Sequence, residues 1–206
     1  MNESLNEIAL RTGTDKSSAI NDYCDFYEEL FGHMRTEKIR ILEIGVFKGN
    51  SIAMWEQGFD RADVMGIDYN LDQVERTPAR AKLFEINAGN TVKLRQFAAE
   101  HGPWDIIIED SAHTVEVSQA VIDALFIDSV KPGGFLVIED TAAHWKRNPL
   151  GNPFTEWAFQ FAMHATHLDG KMRTTKRDTW NGATPLQLQV DQVIFRPGIM
   201  AIKKVR

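Results

Sequence analysis

IRILEIGVFKGNS, residues 39–51, decides how this chain is read. Ile39 to Val46 is nearly apolar throughout, and a run apolar on both faces reads as a strand covered on both sides, the habit of parallel sheets. Glu43-Ile44-Gly45 closes that strand and Gly49-Asn50-Ser51 opens a helix. A glycine at such a turn lets the backbone approach a ligand closely, and a helix start offers unpaired N–H groups. Four similar runs follow: ADVMGID (62–68), AKLFEIN (81–87), WDIIIED (104–110) and GGFLVIED (133–140). SIAMWEQGF (51–59) and TVEVSQAVIDALFIDSV (114–130) read as crossover helices, the second stopped by Lys131-Pro132-Gly133-Gly134. The alternation is βαβ, so the class is α/β with a doubly wound sheet.

The ends depart from this pattern. In DYCDFYEELFGH (22–33), Tyr23, Phe26, Tyr27 and Leu30 share a helical face behind the cap candidates Asn21 and Asp22, and residues 1–37 read as an N-terminal helical cap. QLQVDQVIF (187–195) and IMAIKKV (199–205) flank Arg196-Pro197-Gly198 and read as an antiparallel hairpin, which brings the mostly parallel sheet to seven strands. The less regular segment 141–186 contains a plain helix, PFTEWAFQFAMHATHL (153–168), with Asn152 as its cap and Pro153 in its first turn. Phe154, Trp157, Ala158, Phe161, Ala165 and Leu168 form its core stripe. No linker or repeat divides residues 1–206, so one domain is expected.

Twenty-three Lys and Arg against twenty-nine Asp and Glu give a net charge of −6, which argues against a dedicated nucleic-acid binder. No apolar run reaches the roughly 18 residues of a membrane span, and MNESLNEIALRTGTDK does not read as a signal peptide. The single cysteine, Cys24, suits a reducing compartment, so a cytoplasmic protein is expected, with Cys24 packing as a small hydrophobe.

The dinucleotide fingerprint G-x-G-x-x-G is missing, since Phe47 and Lys48 follow the first turn. Glu43, two places before Gly45, suits a ligand bearing an amino acid group or hydroxyls. Asp68, ending the second run, can hold both ribose hydroxyls of a nucleoside, and Asn87, ending the third, can read an adenine edge. Each has a plainer reading, Gly45 as a tight turn and Asp68 as an ordinary strand-end acid. Together they favour S-adenosylmethionine over NAD.

The fourth run ends Glu109-Asp110-Ser111-Ala112-His113 and the fifth ends Glu139-Asp140. Neighbouring strands share one carboxyl edge, so Asp110, Glu139 and Asp140 are expected to converge there. Clustered carboxylates need a positive partner, and a divalent cation is the usual one; all-oxygen ligands suit Mg²⁺, Mn²⁺ or Ca²⁺ rather than zinc. His113 can face the same pocket as a base for a substrate hydroxyl. The competing reading has Glu109 and Asp110 capping the next helix, with His113 in its first turn.

GTDK (13–16), Tyr23, Tyr27-Glu28, Phe31, ILEIGVFKGNS (41–51), Met54-Trp55, Gly66-Ile67-Asp68, EDSAH (109–113), KPGG (131–134) and VIED (137–140) follow one another in a familiar order. The chain resembles the Rossmann-like class I S-adenosylmethionine-dependent methyltransferases of the macrolide-sugar and rhamnosyl O-methyltransferase type, the mycinamicin and macrocin-related group. The resemblance implies that Glu43, Gly45, Ser51 and Asp68 hold the cofactor, with Thr14 or its neighbours covering it; Asn87 and Asp110 complete the expected cofactor-binding set. It implies Asp110, Glu139 and Asp140 as Mg²⁺ ligands and His113 as general base. The group commonly has Asp-Asp-Gly-Ser-His at 109–113 and Gly-Asp at 86–87, where this chain has Ile86-Asn87. The expected reaction is methyl transfer to a hydroxyl of a small, sugar-containing acceptor. A catechol-like diol, a nucleotide-dependent oxidoreductase and a non-catalytic binding module are the alternatives, and a homo-oligomer is left open. Segment 141–186 is expected on the acceptor side: Trp145 and Trp180 stay open as wall residues, whereas Trp157 reads as core and His164 and His167 as exposed. Lys171, Arg173, Lys176 and Arg177 read as a solvated basic loop.

Overall fold

The computed structural model describes residues 3–141, 153–166 and 185–206. Its strands are β1 (Arg40–Ile44), β2 (Asp63–Asp68), β3 (Lys82–Glu85), β4 (Trp104–Glu109), β5 (Val130–Ile138), β6 (Val190–Arg196) and β7 (Ile199–Lys204). They form a seven-stranded sheet in the order β3-β2-β1-β4-β5-β7-β6. β1 to β5 pair in parallel, and β7 pairs antiparallel with both β5 and β6. This is the Rossmann-like sheet with a C-terminal hairpin that the sequence implied.

The helices are α1 (Leu5–Thr12), α2 (Cys24–Phe31), α3 (Asn50–Gly58), α4 (Thr91–His101), α5 (Val115–Ser129), α6 (Pro153–Thr166) and the one-turn α7 (Pro185–Leu188). Strand alternation sorts the core into two layers. Leu42, Ile44, Ile107 and Leu136 pack toward α4, α5 and α6 through Leu94, Phe97, Val121, Leu125 and Phe154. Ile41, Ile106, Ile108 and Val137 pack toward α1, α2 and α3 through Ile8, Tyr27, Phe31 and Trp55. Phe154, Ala158 and Phe161 of the α6 stripe are buried, and Trp157 is partly buried against the same core. No helix among the described residues is long and apolar enough to cross a membrane.

Two local expectations change, and one local feature is added. α2 starts at Cys24 behind Tyr23, with no side-chain cap, because Asp22 sits at φ +59 and the Tyr23 N–H is taken by the Lys16 carbonyl at 3.0 Å. The Lys131-Pro132-Gly133-Gly134 stretch does not lie outside the strand: β5 starts at Val130, and these residues bulge from the ladder between the Trp104–Val130 and Ile106–Phe135 pairs. α1 carries a complete capping box, Ser4 with Glu7, that defines its start. Trp145, Trp180, His144, His167 and the basic stretch 171–177 lie outside the described residues.

Candidate active site

Strand order reverses beside β1, with β2 and β3 on one side and β4 and β5 on the other. A doubly wound sheet places its ligand at such a switch point, outside the carboxyl ends of the strands. A cavity of about 710 Å³ opens there, lined by Gly13, Thr14, Asp15, Gly45, Phe47, Ser51, Asp68, Tyr69, Asn87, Asp110 and His113, among others. That volume suits a ligand of nucleoside size.

Gly45 stands at φ +101, and a Cβ there would lie 2.0 Å from the Asp110 carbonyl oxygen. The glycine is therefore demanded by the neighbouring chain as well as by any ligand. Asp110 donates its backbone N–H to the Ile44 carbonyl at 2.8 Å, which holds the two strand ends together. Asp68 stabilises the same turn: its Oδ2 accepts the Val46 and Phe47 N–H groups at 2.7 and 2.9 Å, and its Oδ1 accepts from Asn70 N at 3.2 Å. Oδ1, with its single longer bond, is the oxygen available to a ligand hydroxyl. Asn87 lines the cavity while its Oδ1 accepts the Gly89 N–H at 2.8 Å, so that oxygen is engaged within its own loop. Phe47, at φ +47, and Tyr69 expose 58% and 66% of their surfaces beside the opening. Sequence reading gave neither aromatic a role.

Glu43 is not on the cavity wall. Strand alternation puts it on the face of Ile41 rather than that of Leu42 and Ile44, so its carboxylate lies fully buried behind the wall, accepting from Ser51 Oγ at 2.8 Å. Ser51 itself lines the cavity. Glu139 follows the same rule and shares the face of Val137, where it meets Tyr27 Oη and Lys16. Its carboxylate is engaged there by Lys16 and Tyr27 and does not belong to the group formed by Asp110, His113 and Asp140; its place as a third metal ligand stays an expectation from the sequence. The positive partner that the clustered acids need is an ammonium of this chain. Lys16 Nζ lies 2.6 Å from Asp110 Oδ2, 2.8 Å from Glu139 Oε2 and 3.4 Å from Glu43 Oε1, with no exposed surface.

Burial raises the Glu43 carboxyl to about 7, with Lys16 opposing the rise and Asp110 adding to it. Burial likewise holds Glu139 well above the carboxylate range and raises Asp110, in both cases against the pull of Lys16. Burial would lower Lys16, but Asp110, Glu139 and Glu43 outweigh it and hold the ammonium well above its ordinary value. For Glu43 the linkage sign is definite. A carboxyl raised on folding costs nothing while both states are protonated. Its penalty then grows as pH rises from the unfolded value through about 7 and stays constant above that. Glu43→Gln removes this slope. Thermal melts from about pH 4 to about pH 8 are expected to show the parent losing more stability than the variant across that window, and parallel losses would contradict the assignment.

Asp110, His113 and Asp140 each offer a ligand atom within 4.8 Å of the others, and the first two of them line the cavity. His113 Nδ1 lies 3.9 Å from Asp110 Oδ1, and His113 Nε2 lies 3.5 Å from Asp140 Oδ2. Tyr23 Oη donates to Asp140 Oδ1 at 2.8 Å and sets that carboxylate. Both His113 (φ +50) and Asp140 (φ +53) occupy the left-handed region, strain of roughly 1–3 kcal/mol each that the surroundings must enforce. His113 Nδ1 is buried without a hydrogen-bond partner. Asp110 and Asp140 supply carboxylate oxygens that fit a hard divalent cation, and the His113 imidazole stands beside them as a nitrogen donor with Nδ1 unpartnered. Glu109 belongs to the structural reading: it faces α5 and accepts from Ser111 Oγ at 2.6 Å and Ser118 Oγ at 2.7 Å. The cap of α5 is Thr114, so His113 stands just before the helix rather than in its first turn.

A family model described as "Methyltransferase domain" matches residues 16–181. The chain is 34% identical over 152 residues to the demethylmacrocin O-methyltransferase of Streptomyces fradiae, an alignment covering 68% of this chain and 37% of that protein. It is 31% identical over 149 residues to the mycinamicin VI 2''-O-methyltransferase of Micromonospora griseorubida, covering 68% and 37% respectively. The chain thus aligns with little more than a third of the length of these curated relatives. Among solved structures, the MycE methyltransferase of mycinamycin biosynthesis, in complex with Mg and SAH, superimposes with a TM-score of 0.85 at 22% identity, over 100% of this chain and 55% of that one.

Proposed function

The chain belongs to the methyltransferase-domain family, and we propose that it transfers the methyl group of S-adenosylmethionine to a hydroxyl of a small, sugar-containing acceptor. The observation that carries this reading is that one cavity runs from the Gly45 turn and Asp68 to Asp110 and His113, with Asp140 3.5 Å beyond His113 Nε2. A nucleoside held at the first end points its reactive sulfonium toward the second.

In this proposal Asp68 Oδ1 takes the ribose hydroxyls and Ser51 and Asn87 line the nucleoside end. Thr14 and Asp15 cover the cofactor. Glu43 acts from behind the wall through Ser51. Asp110 and Asp140 would hold Mg²⁺ or a similar divalent cation, which when bound supplies a Lewis acid that lowers the pKa of an acceptor hydroxyl and orients it. His113 accepts the hydroxyl proton at Nε2, and Asp140, fixed by Tyr23, steadies the resulting imidazolium. Residues 13–15 form a strap that lines the cavity and would limit the access of water to the bound cofactor. An aromatic diol would meet the same arrangement; the named activities of the relatives are what favour a sugar.

The test is transfer of labelled methyl from S-adenosylmethionine to glycosides bearing neighbouring hydroxyls, with Mg²⁺ and with EDTA. Product with Mg²⁺, loss with EDTA and recovery on adding Mg²⁺ are expected. Undiminished transfer in EDTA would remove the cation from the account, and binding of NAD in place of S-adenosylmethionine would restore the oxidoreductase reading.

A further inference from the structure

Lys16 is a fully buried lysine that does not line the cavity, although its neighbours Thr14 and Asp15 do. Its ammonium reaches three carboxylates on three separate strand ends: Glu43 of β1, Asp110 after β4 and Glu139 after β5. Its carbonyl meanwhile accepts from Tyr23 N at 3.0 Å and Cys24 Sγ at 3.2 Å, which locks the segment against α2. Asp110 is shared: Oδ2 faces Lys16 and Oδ1 faces His113. A single side chain therefore links the strap over the nucleoside end to a carboxylate of the chemical end.

We infer that Lys16 is a positioning residue, tying strap 13–15 to the strand edge and fixing the Asp110 carboxylate in the orientation that presents Oδ1 to His113. The inference rests on the cofactor reading above. A buried ammonium with three acceptors could instead be a counter-ion that stabilises the fold without affecting the site. The two differ in what they do to the ligand. A counter-ion alone changes stability, whereas a tether changes the order of residues 13–17 and the affinity for the molecule they cover.

The experiment compares the parent, Lys16→Met, Glu139→Gln and Lys204→Met. Lys204 supplies the control, since it is also a buried cation, held by the Val130 carbonyl at 2.7 Å, and it does not line the cavity. Two readouts are taken: calorimetric titration with S-adenosylhomocysteine, and amide hydrogen exchange over residues 13–17 without ligand. Lys16→Met is expected to weaken binding at least ~10-fold and to speed exchange, and Glu139→Gln to weaken it about threefold with the same exchange signature. Lys204→Met is expected to lower the melting temperature with parental affinity and parental exchange at 13–17. Parental exchange and affinity in Lys16→Met would overturn the inference; should that variant not fold, the same result in Glu139→Gln overturns it. If the parent itself binds no S-adenosylhomocysteine, the cofactor reading fails, and the exchange arm still decides whether Lys16 tethers the strap.

Discussion

Gly45→Ala is expected to destabilise the protein by about 3 kcal/mol or more and to abolish cofactor binding, through overpacking and backbone strain acting together. The added methyl would sit 2.0 Å from the Asp110 carbonyl oxygen and 2.6 Å from its carbonyl carbon, at a backbone φ of +101 that alanine disfavours. Backbone on both sides prevents relief. Gly45 N donates to the Ile67 carbonyl, and Asp110 N to the Ile44 carbonyl, each at 2.8 Å, so moving either chain breaks a bond at the strand ends. The same shift would displace Asp110, which bridges Lys16 and His113. Urea unfolding with parallel S-adenosylhomocysteine titration measures both effects. An alanine variant with parental stability and affinity would show that the turn is not constrained as described.

His113→Ala is expected to lower methyl transfer by ~10²–10⁴-fold, the usual range for a lost general base, while leaving S-adenosylhomocysteine affinity within about twofold of the parent. The separation follows from position: His113 faces Asp140 and Asp110 at the mouth, away from Asp68 and Asn87 at the nucleoside end. Single-turnover assays at saturating cofactor isolate the chemical step. Unchanged turnover with an unchanged Mg²⁺ requirement would remove the imidazole from the reaction.

Four of the five apolar runs are readable because strands covered on both faces must be apolar on both faces; the other, β3, is a partly exposed edge strand, and all five are parallel strands. The hairpin was readable from Arg196-Pro197-Gly198, with Gly198 at φ +79. α4 offered less: of Thr91–His101 only Leu94, Phe97 and Ala98 are buried, a stripe too narrow to stand out. Within the site, the acids at the ends of β1, β4 and β5 were visible, but their sidedness was overlooked. Counting alternate residues from Ile41 and Val137 assigns Glu43 and Glu139 to the inner face, so that signal was present in the sequence. Lys16 had no such signal. A lysine is ordinarily exposed, and only the long-range packing of the segment after α1 against β1, β4 and β5 brings it among the acids. Tyr23 and Tyr27 likewise read as apolar helix residues, although their hydroxyls reach Asp140 and Glu139.

The central claim, that the cavity beside Gly45 is a cofactor site for S-adenosylmethionine, is tested most directly by calorimetric titration of S-adenosylhomocysteine into the purified protein, with Mg²⁺ and again with excess EDTA. The account expects one-to-one binding under both conditions, because Asp68, Ser51 and Asn87 line the nucleoside end apart from the Asp110–His113–Asp140 group. Absence of binding under both conditions would contradict it.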